Sequence, residues 1–539
     1  MQIKKTFGQE KYKKLLIIFL AVLIFAGSFL VHYLPVLVKG YSPAICTDNL
    51  ILARNYYLTG QKTIENESGV YLSTDLIKEN GGIAATTENE LTPIIYSQLF
   101  RVFGFLPDLP LYISLICFSL ILVLLFLLFN KMFNLSVALL AVGFGLLVPI
   151  FWWGSVYLGF YEFALLFFVL GFFIYFYPKQ PSYFHLIFAS LFFGLAALCR
   201  NAFLISFLAI LIFDFFKNRS IKKSVVFVLP FAAIVGLVFG LEVFAGSNLY
   251  LSPKKVEAFS YYTHLFPDPY TYHFEAESYL AEIKDNAKGD IAGMIVDRGD
   301  YNFSEYLQKR GEILINSVNY YLRQLISLTI LGGPITLLFV IFGFYFLQKE
   351  NKKLFYFFGF WFSFLAFFLL FLKTSNWDHL LEILPLISLT GGLGVYYCLQ
   401  SIYHWETDKN KSLILTIILV IAVFGNLFGL SKIMFSREYG GQNLVVKAQS
   451  IINGLKAANL DSKKDVVAIG IHPGLSGVLN YYTDKNYIYF DPETIIRLTK
   501  ENKLKEGFDY FGVTAIAGFS DEIMATAANQ TKVLIIKNQ

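Results

Sequence analysis

Residues 15–60 read LLIIFLAVLIFAGSFLVHYLPVLV (15–38) and then KGYSPAICTDNLILARNYYLTG (39–60). The first segment is an uninterrupted apolar run, long enough to cross about 30 Å of hydrocarbon. Lys4, Lys5, Lys11, Lys13 and Lys14 precede it. The charge resembles a signal peptide, but the apolar part exceeds the usual 7–15 residues, so it is expected to stay as a signal anchor. The second segment turns polar and places Asp48 about ten residues beyond the membrane exit. A helix-like run (Leu50, Leu52, Ala53, Tyr56, Tyr57) follows and closes on Gly60, a suitable C-cap. An acid at a membrane interface is more often a solvated loop residue than a functional one, so the rest of the chain must decide its role.

Working outward, the apolar pattern continues for most of the 539 residues. The chain is 56% hydrophobic, 18% aromatic and only 15% charged, with a mean hydropathy of +0.56. These values exclude an ordinary soluble domain. We read a polytopic α-helical membrane protein with about eleven spans: 15–38, 111–129, 135–152, 159–177, 184–199, 202–216, 225–245, 325–347, 354–372, 380–402 and 412–431. Basic residues set the expected orientation. With the N-terminus inside, the inner loops carry Lys131, Lys179, Lys217, Arg219, Lys222, Lys223, Lys349, Lys352, Lys353, Lys409 and Lys411, and the short outer connections carry mainly Arg200 and Lys373. Loops 39–110 and 246–323 and the segment 432–539 then lie outside the cytoplasm, N-in and C-out.

The net charge of +5 is small and the lysines sit between spans, which gives no sign of nucleic-acid binding. Cys46, Cys117, Cys199 and Cys398 form no CxxC pair, so neither a disulfide framework nor a metal site is expected. No cofactor is expected, and no internal repeat is visible. Loop 246–323 holds SYYTHLFPDPYTYHF (260–274) and NFSEYLQKRGEILINSVNYYLRQL (302–325), the latter patterned as an amphipathic helix for a membrane surface. From 440 the composition becomes soluble. The apolar runs DVVAIGI, NYIYF, VTAIAGF and KVLIIKN alternate with helical segments, as in a small parallel α/β sheet. Gly470, Gly474 and Gly477 with Asp491 have the spacing GxxxGxxG rather than GxGxxG, so a dinucleotide site is rejected and an accessory domain preferred.

Four features on the expected outer side carry potential chemistry: Asp48, Glu162 in FWWGSVYLGFYEFALLFF (151–168), Arg200 in FFGLAALCRNAFLISF (192–207), and the cluster Lys373, Asp378, His379 and Glu382 in KTSNWDHLLEILPL (373–386). Taken singly, each has a plain alternative: a snorkelling interface acid, a topology anchor or a solvated turn. Together they suit transfer from a lipid-linked phosphate donor. A carboxylate would take the proton of an attacking hydroxyl and cations would neutralise the departing phosphate. An arginine fork matches a tetrahedral anion well. No P-loop, HExxH or GxSxG motif is present, which removes nucleotide-hydrolysing, zinc-protease and serine-hydrolase chemistry.

The segments TDNLILARNYYLTG with LTPIIYSQLFRVFG, FFGLAALCRNAFLISF, and NWDHLLEILPLISLTGGLG resemble the GT-C class of membrane glycosyltransferases, of the protein O-mannosyltransferase and lipid A aminoarabinose transferase type. The resemblance covers roughly 15–431. It implies Asp48 as the catalytic acid of the first loop, Glu162 as the second acid, and Arg200 and His379 near the donor phosphate; Lys373, in the same charge cluster as His379, is expected as a further phosphate ligand. Where relatives carry an Asp-Glu pair, this chain has Asp48-Asn49, which leaves Asp48 without an acidic neighbour. The implied organisation is a GT-C-like transmembrane domain over 1–431 and an extracytoplasmic α/β domain over 432–539. The implied reaction moves a sugar, with inversion, from a polyprenyl-phosphate donor to a glycan, lipid or protein acceptor at the outer face of the cell membrane. Tyr56 and Tyr57 would stack on sugar or, as the plainer alternative, pack the helix. A transporter or flippase of lipid-linked glycans would place charges at mid-membrane depth and often show repeated halves, and neither is seen. A non-catalytic envelope scaffold is the third reading, distinguished by whether the chain turns over donor.

Overall fold

The computed structural model describes residues 2–39, 45–81, 91–244, 270–273, 295–298, 315–371, 380–404, 409–435 and 448–536, apart from short stretches at 47, 62, 65–69, 160, 179, 201, 219, 316–317, 320, 329, 456–457, 471–472 and 491. Helix α1 (Gln2–Lys39) is followed by strand β1 (Ile45–Cys46), α2 (Asp48–Thr59), α3 (Thr74–Asn80) and α4 (Leu91–Phe103). The apolar bundle continues with α5 (Leu109–Met132), α6 (Leu135–Leu147), α7 (Pro149–Val156), β2 (Tyr157–Leu158), α8 (Glu162–Phe176), α9 (Tyr183–Cys199), α10 (Ala202–Asn218) and α11 (Ile221–Phe244). Strands β3 (Tyr270–His273) and β4 (Ile295–Arg298) pair antiparallel, and α12 (Pro334–Glu350), α13 (Lys352–Phe371), α14 (Leu384–His404) and α15 (Lys409–Phe435) complete the apolar part.

Three of these helices are long and apolar enough to cross a membrane on their own, at Tyr12–Leu34, Leu109–Met132 and Asn410–Lys432, and a fourth span is made if α6 and α7 count together. The run 135–152, expected as one straight span, is broken there by a 68° bend. The cause is local: Pro149 disfavours helical geometry in the residue before it, and Val148 is extended at φ −70°, ψ 120°. The run expected over 325–347 is also shorter as a helix. Gly332 (φ 81°) and Gly333 (φ 102°) form a turn that only glycine adopts without strain, and α12 begins after it. Most of the amphipathic helix read over 302–325 lies outside the described residues, although 321–326 is helical.

Close helix contact is made by glycines. A Cβ on Gly343 of α12 would overlap the carbonyl oxygen of Thr390 on α14, and one on Gly394 would overlap the carbonyl of Phe339. Small residues let the two backbones touch, which matters between lipid-facing helices that have no hydrophobic drive to associate. Within α11, Pro230 has no amide to give the helical ladder, and the amide of the next residue, Phe231, donates to Ser190 Oγ at 3.0 Å.

Residues 448–536 build a parallel sheet in the order β6-β5-β7-β8 from β5 (Val466–Ile469), β6 (Asn486–Tyr489), β7 (Val513–Ala517) and β8 (Leu534–Ile536). Helices α16 (Pro473–Thr483), α17 (Pro492–Lys500), α18 (Leu504–Phe511) and α19 (Asp521–Thr531) connect and cover it. This C-terminal unit does not stand apart. Its edge strand β6 is closed by the first loop: Tyr71 N donates to Tyr487 O at 2.8 Å and Tyr487 N to Tyr71 O at 3.0 Å, which blunts an otherwise unpaired edge. Val70, Leu72 and Ile77 share a buried apolar cluster with Ile488, Phe490 and Phe508.

Candidate functional site

Two short parallel strands bring the site's parts together. β1 pairs with β2 in the register Ile45↔Tyr157 and Cys46↔Leu158, so the entry to α2 lies beside the turn that leads into α8. Asn49 is buried and its Nδ2 donates to Gly159 O at 2.6 Å. Gly159, at φ 77°, turns the chain in a conformation suited to glycine, and its amide donates to Glu162 Oε1 at 2.8 Å. Asp48 and Glu162 are thus joined through one residue on each side of the strand pair.

Asp48 opens α2 and is reached by solvent. Its carboxylate accepts a hydrogen bond from Tyr71 OH at 3.3 Å. Protein nevertheless fills most of the volume around it. That desolvation raises its carboxyl above the ordinary carboxylate range, and the Tyr71 hydroxyl opposes the rise. Glu162 is fully buried at the first turn of α8, where the helix dipole favours negative charge. Its Oε1 also accepts from Tyr96 OH, a contact carried by α4. Burial, and then the charge of Glu162, push the Tyr96 phenol upward, so it remains a proton donor to that carboxylate.

Arg200 caps the end of α9 and is buried, with 6% of its surface exposed. Its guanidinium lies over the ring of Tyr161, Cζ 4.2 Å from the centroid, in a cation–π contact. Since Tyr161 precedes Glu162, this carboxylate and the Arg200 cation belong to one neighbourhood. His379 and Lys373 lie outside the described residues. Glu382, in the same late cluster, is fully buried. Tyr57 is partly buried beside Phe100, centroids 6.1 Å apart, and Tyr56 lies under the guanidinium of Arg101 at 5.7 Å. Both tyrosines therefore pack the helix. Among the described residues, no group of three His, Cys, Asp or Glu side chains is arranged to hold a metal ion.

One residue at this site escaped the sequence reading. Arg54, six positions after Asp48 on α2, is 1% exposed. Its Nε and Nη2 donate to Asn55 Oδ1 at 3.0 and 2.7 Å, and Nη2 to Asn480 Oδ1 at 2.9 Å. Its Nη1 donates to the carbonyls of Asn480 and, at 3.2 Å, Tyr481, in the last turn of α16. A cation suits that position, because the final carbonyls of a helix lack partners of their own. Asp484, left-handed at φ 52°, turns its carboxylate back to Nη2 at 3.4 Å. It also accepts from Thr74 N at 2.8 Å. Burial lowers the affinity of Arg54 for its proton and Asp484 offsets this. The clasp fastens the C-terminal unit to the helix that begins with Asp48. The signal that could have found it is the lone Arg within LILARNYYL, a charge in an otherwise buried helix face.

No protein-family model matches the sequence, and comparison with curated proteins finds no match. Solved structures do match. ArnT from Cupriavidus metallidurans bound to undecaprenyl phosphate is similar over 96% of this chain and 89% of its own, with 10% identity and a TM-score of 0.51. The apo form of the same protein gives the same values. The Archaeoglobus fulgidus oligosaccharyltransferase in its apo form is similar over 95% of this chain and 69% of its own, with 11% identity and a TM-score of 0.50. At such identity the likeness is one of fold. The chain has the fold of the GT-C glycosyltransferases, with three described helices long and apolar enough to cross a membrane.

Proposed function

We propose that this chain is a glycosyltransferase that moves a sugar from a polyprenyl-phosphate donor to an acceptor hydroxyl at the extracytoplasmic face of the cell membrane, by a single displacement with inversion. The observation that supports the reading is the β1–β2 pairing, beside which Asn49, next to Asp48, bonds Gly159, Gly159 bonds Glu162, and Arg200 lies over the ring of Tyr161. The neighbour of like fold binds undecaprenyl phosphate, a lipid-linked phosphate of the required class. In this reading residues 1–431 form the transmembrane part and 432–539 an extracytoplasmic unit docked on the first loop.

Asp48 takes the proton of the acceptor hydroxyl as its oxygen bonds to the anomeric carbon. The anomeric carbon–phosphate oxygen bond breaks at the same time, and the electron pair leaves on the polyprenyl phosphate. Its solvated edge lets an acceptor approach, while the crowding protein raises its basicity toward what a general base needs. Glu162, held by the Gly159 amide and Tyr96, orients acceptor or donor sugar without moving itself. Arg200, His379 and Lys373 neutralise the charge that develops on the phosphate. A positioned base is worth about 10²–10⁴ in rate, and fixed positive charge at the leaving oxygen adds to it.

The test uses the full chain in lipid with a panel of radiolabelled polyprenyl-phosphate sugars, comparing it with Asp48→Asn. Transfer by the native chain, lost in Asp48→Asn while donor binding is kept, is the expected result. Equal transfer by both would overturn the role of Asp48, and donor binding with no turnover of any sugar would overturn the enzyme.

A further inference from the structure

Residues 70–74 belong to the first loop by sequence and to the C-terminal unit by contact. The Tyr71 amide and carbonyl both pair with Tyr487 of β6. Asn480 Nδ2 donates to Leu72 O at 2.9 Å, Ser73 N to Asn486 Oδ1 at 2.7 Å and Thr74 N to Asp484 Oδ1 at 2.8 Å. Val70 and Leu72 are buried in the apolar cluster of the sheet. The backbone on both sides of Tyr71 is therefore fixed by the unit, and the side-chain torsions that remain are restricted to a few directions. The one taken carries the hydroxyl back to Asp48, where it donates to Oδ1 at 3.3 Å. The other elements packed on α2 turn their titratable groups elsewhere. On α4, Tyr96 bonds Glu162 and Arg101 lies over Tyr56. On α3, Asp75 accepts from Ser462 and Glu79 from Lys463, while Lys78 is exposed. On α2 itself Arg54 is held in the clasp and Tyr57 packs on Phe100. On α16, Tyr481 bonds Pro107 O and Tyr482 rests against its ring. The residue of α16 that meets Asp48 is Gly477, where a Cβ would lie 3.4 Å from Oδ1.

We propose that Tyr71 is a positioning residue for Asp48, and that the C-terminal unit, which holds the Tyr71 backbone in its sheet, sets the orientation of the base through it. The base half of this proposal rests on the transferase reading above; the coupling from unit to carboxylate rests on contacts alone. A hydroxyl held on Oδ1 favours the ionised carboxylate and leaves Oδ2 to take a proton. Loosening residues 70–74 at a distance therefore acts on Asp48 in the same sense as deleting the hydroxyl, and does nothing more once the hydroxyl is gone.

The experiment compares the full chain in lipid nanodiscs with Tyr71→Phe, with Asn486→Ala, which frees the amide of Ser73, and with the double variant. Two quantities are read across pH: the rate of sugar transfer, and the rate at which a water-soluble carbodiimide and an amine modify Asp48. The second, followed by peptide mass spectrometry, tracks the protonated carboxyl. Tyr71→Phe should move both profiles to higher pH by about half a unit or more, the scale of one long hydrogen bond to a charged oxygen. The Tyr487 amide, which bonds Tyr71 O, should keep its protection from hydrogen exchange in that variant. Asn486→Ala should move both profiles the same way by less, and the double variant should match Tyr71→Phe alone. Unmoved profiles in Tyr71→Phe would overturn the positioning role. No shift in Asn486→Ala, or one that persists in full in the double variant, would overturn the coupling through Tyr71. If Asn486→Ala does not fold, Arg54→Lys, which loosens the same joint, takes its place in the comparison. A shifted modification profile with no sugar transferred by any form would uphold the coupling and sink the transferase.

Discussion

Replacing Arg54 with methionine keeps most of the volume of the side chain and removes all its donors, so the structure sets what is lost. The pair with Asp484 contributes little, because that carboxylate is 38% exposed and separated by 3.4 Å; such pairs give about 0–1 kcal/mol. The larger loss is at the four acceptor contacts in a site that water does not reach: Asn55 Oδ1, Asn480 Oδ1 and the carbonyls of Asn480 and Tyr481. Leaving a buried acceptor without its donor costs about 1–3 kcal/mol, so losing several of these at once costs about 3–5 kcal/mol. That is about two to three and a half powers of ten in the docking equilibrium. Hydrogen exchange with mass spectrometry on the full chain in nanodiscs reads this directly. The Tyr71 and Tyr487 amides bond each other's carbonyls across the joint, so their protection reports docking. Arg54→Met should lower their protection about 10²–10³-fold, and Arg54→Lys, with a point charge instead of a fork, should fall between. Native protection in Arg54→Met would refute the claim that the clasp holds the unit in place.

Asp48 makes a pH prediction whose sign follows from its raised carboxyl. The folded chain binds that proton more tightly than the unfolded chain, so this group's contribution to stability is present at low pH and lost as pH rises through the raised value. Asp48→Asn should therefore hold or raise Tm at pH 7 while lowering transfer about 10²–10⁴-fold; a clear fall in Tm would contradict it. Transfer needs the carboxylate, so its acid limb should lie above the ordinary carboxylate range. Tyr71→Phe, which removes the bond that opposes the rise, should move that limb to higher pH, and an unmoved limb in the pH–rate profile would disprove the link. At Glu162, Tyr96→Phe deletes the phenolic donor to Oε1 and should lower kcat about tenfold with donor KM held, on the scale of one hydrogen bond to a charged group. Gly343→Val should destabilise the bundle by about 3 kcal/mol or prevent folding, because it strikes the backbone of Thr390. Gly359→Ala, whose nearest neighbour is a Phe344 ring carbon at 3.4 Å, should stay within about 0.5 kcal/mol in thermal unfolding.

The helices of the bundle were legible because apolar runs of that length have one solution in lipid. The bend at Pro149 was marked in the sequence, yet it was read through, because hydropathy is blind to backbone geometry. Asp48, Glu162 and Arg200 stood out as charges at the ends of apolar runs, and the structure brings Glu162 and Arg200 together at Tyr161. What joins them could not be read locally. The strand pair is two residues long on each side, too short for any periodicity. Arg54 went unremarked because, apart from Asn55, its acceptors lie 426 and 427 positions away. Gly477 was weighed as part of a weak glycine pattern for nucleotides, whereas its neighbour is a carboxylate from the first loop.

These contacts also fix a register between two helices. Asp48 and Arg54 are six residues apart on α2, about 9 Å of helix rise. Their partners follow one another in the same direction: Gly477 on α16, then Asn480 and Tyr481 in its last turn, then Asp484 just beyond its end. The clasp and the glycine contact are thus two ends of one alignment. A slip of α16 by a single residue would move it about 1.5 Å and turn it about 100°, setting Ser476 or Val478 against Asp48 where only a hydrogen now stands. Arg54 is accordingly a positioning residue, and its loss should act on chemistry before it acts on the bundle. In Arg54→Lys, where the unit stays docked part of the time, acceptor transfer should fall further than donor hydrolysis, and the melting of the apolar helices should be unchanged. An equal fall in transfer and hydrolysis would show that α16 shields the site as a lid without aligning what enters it.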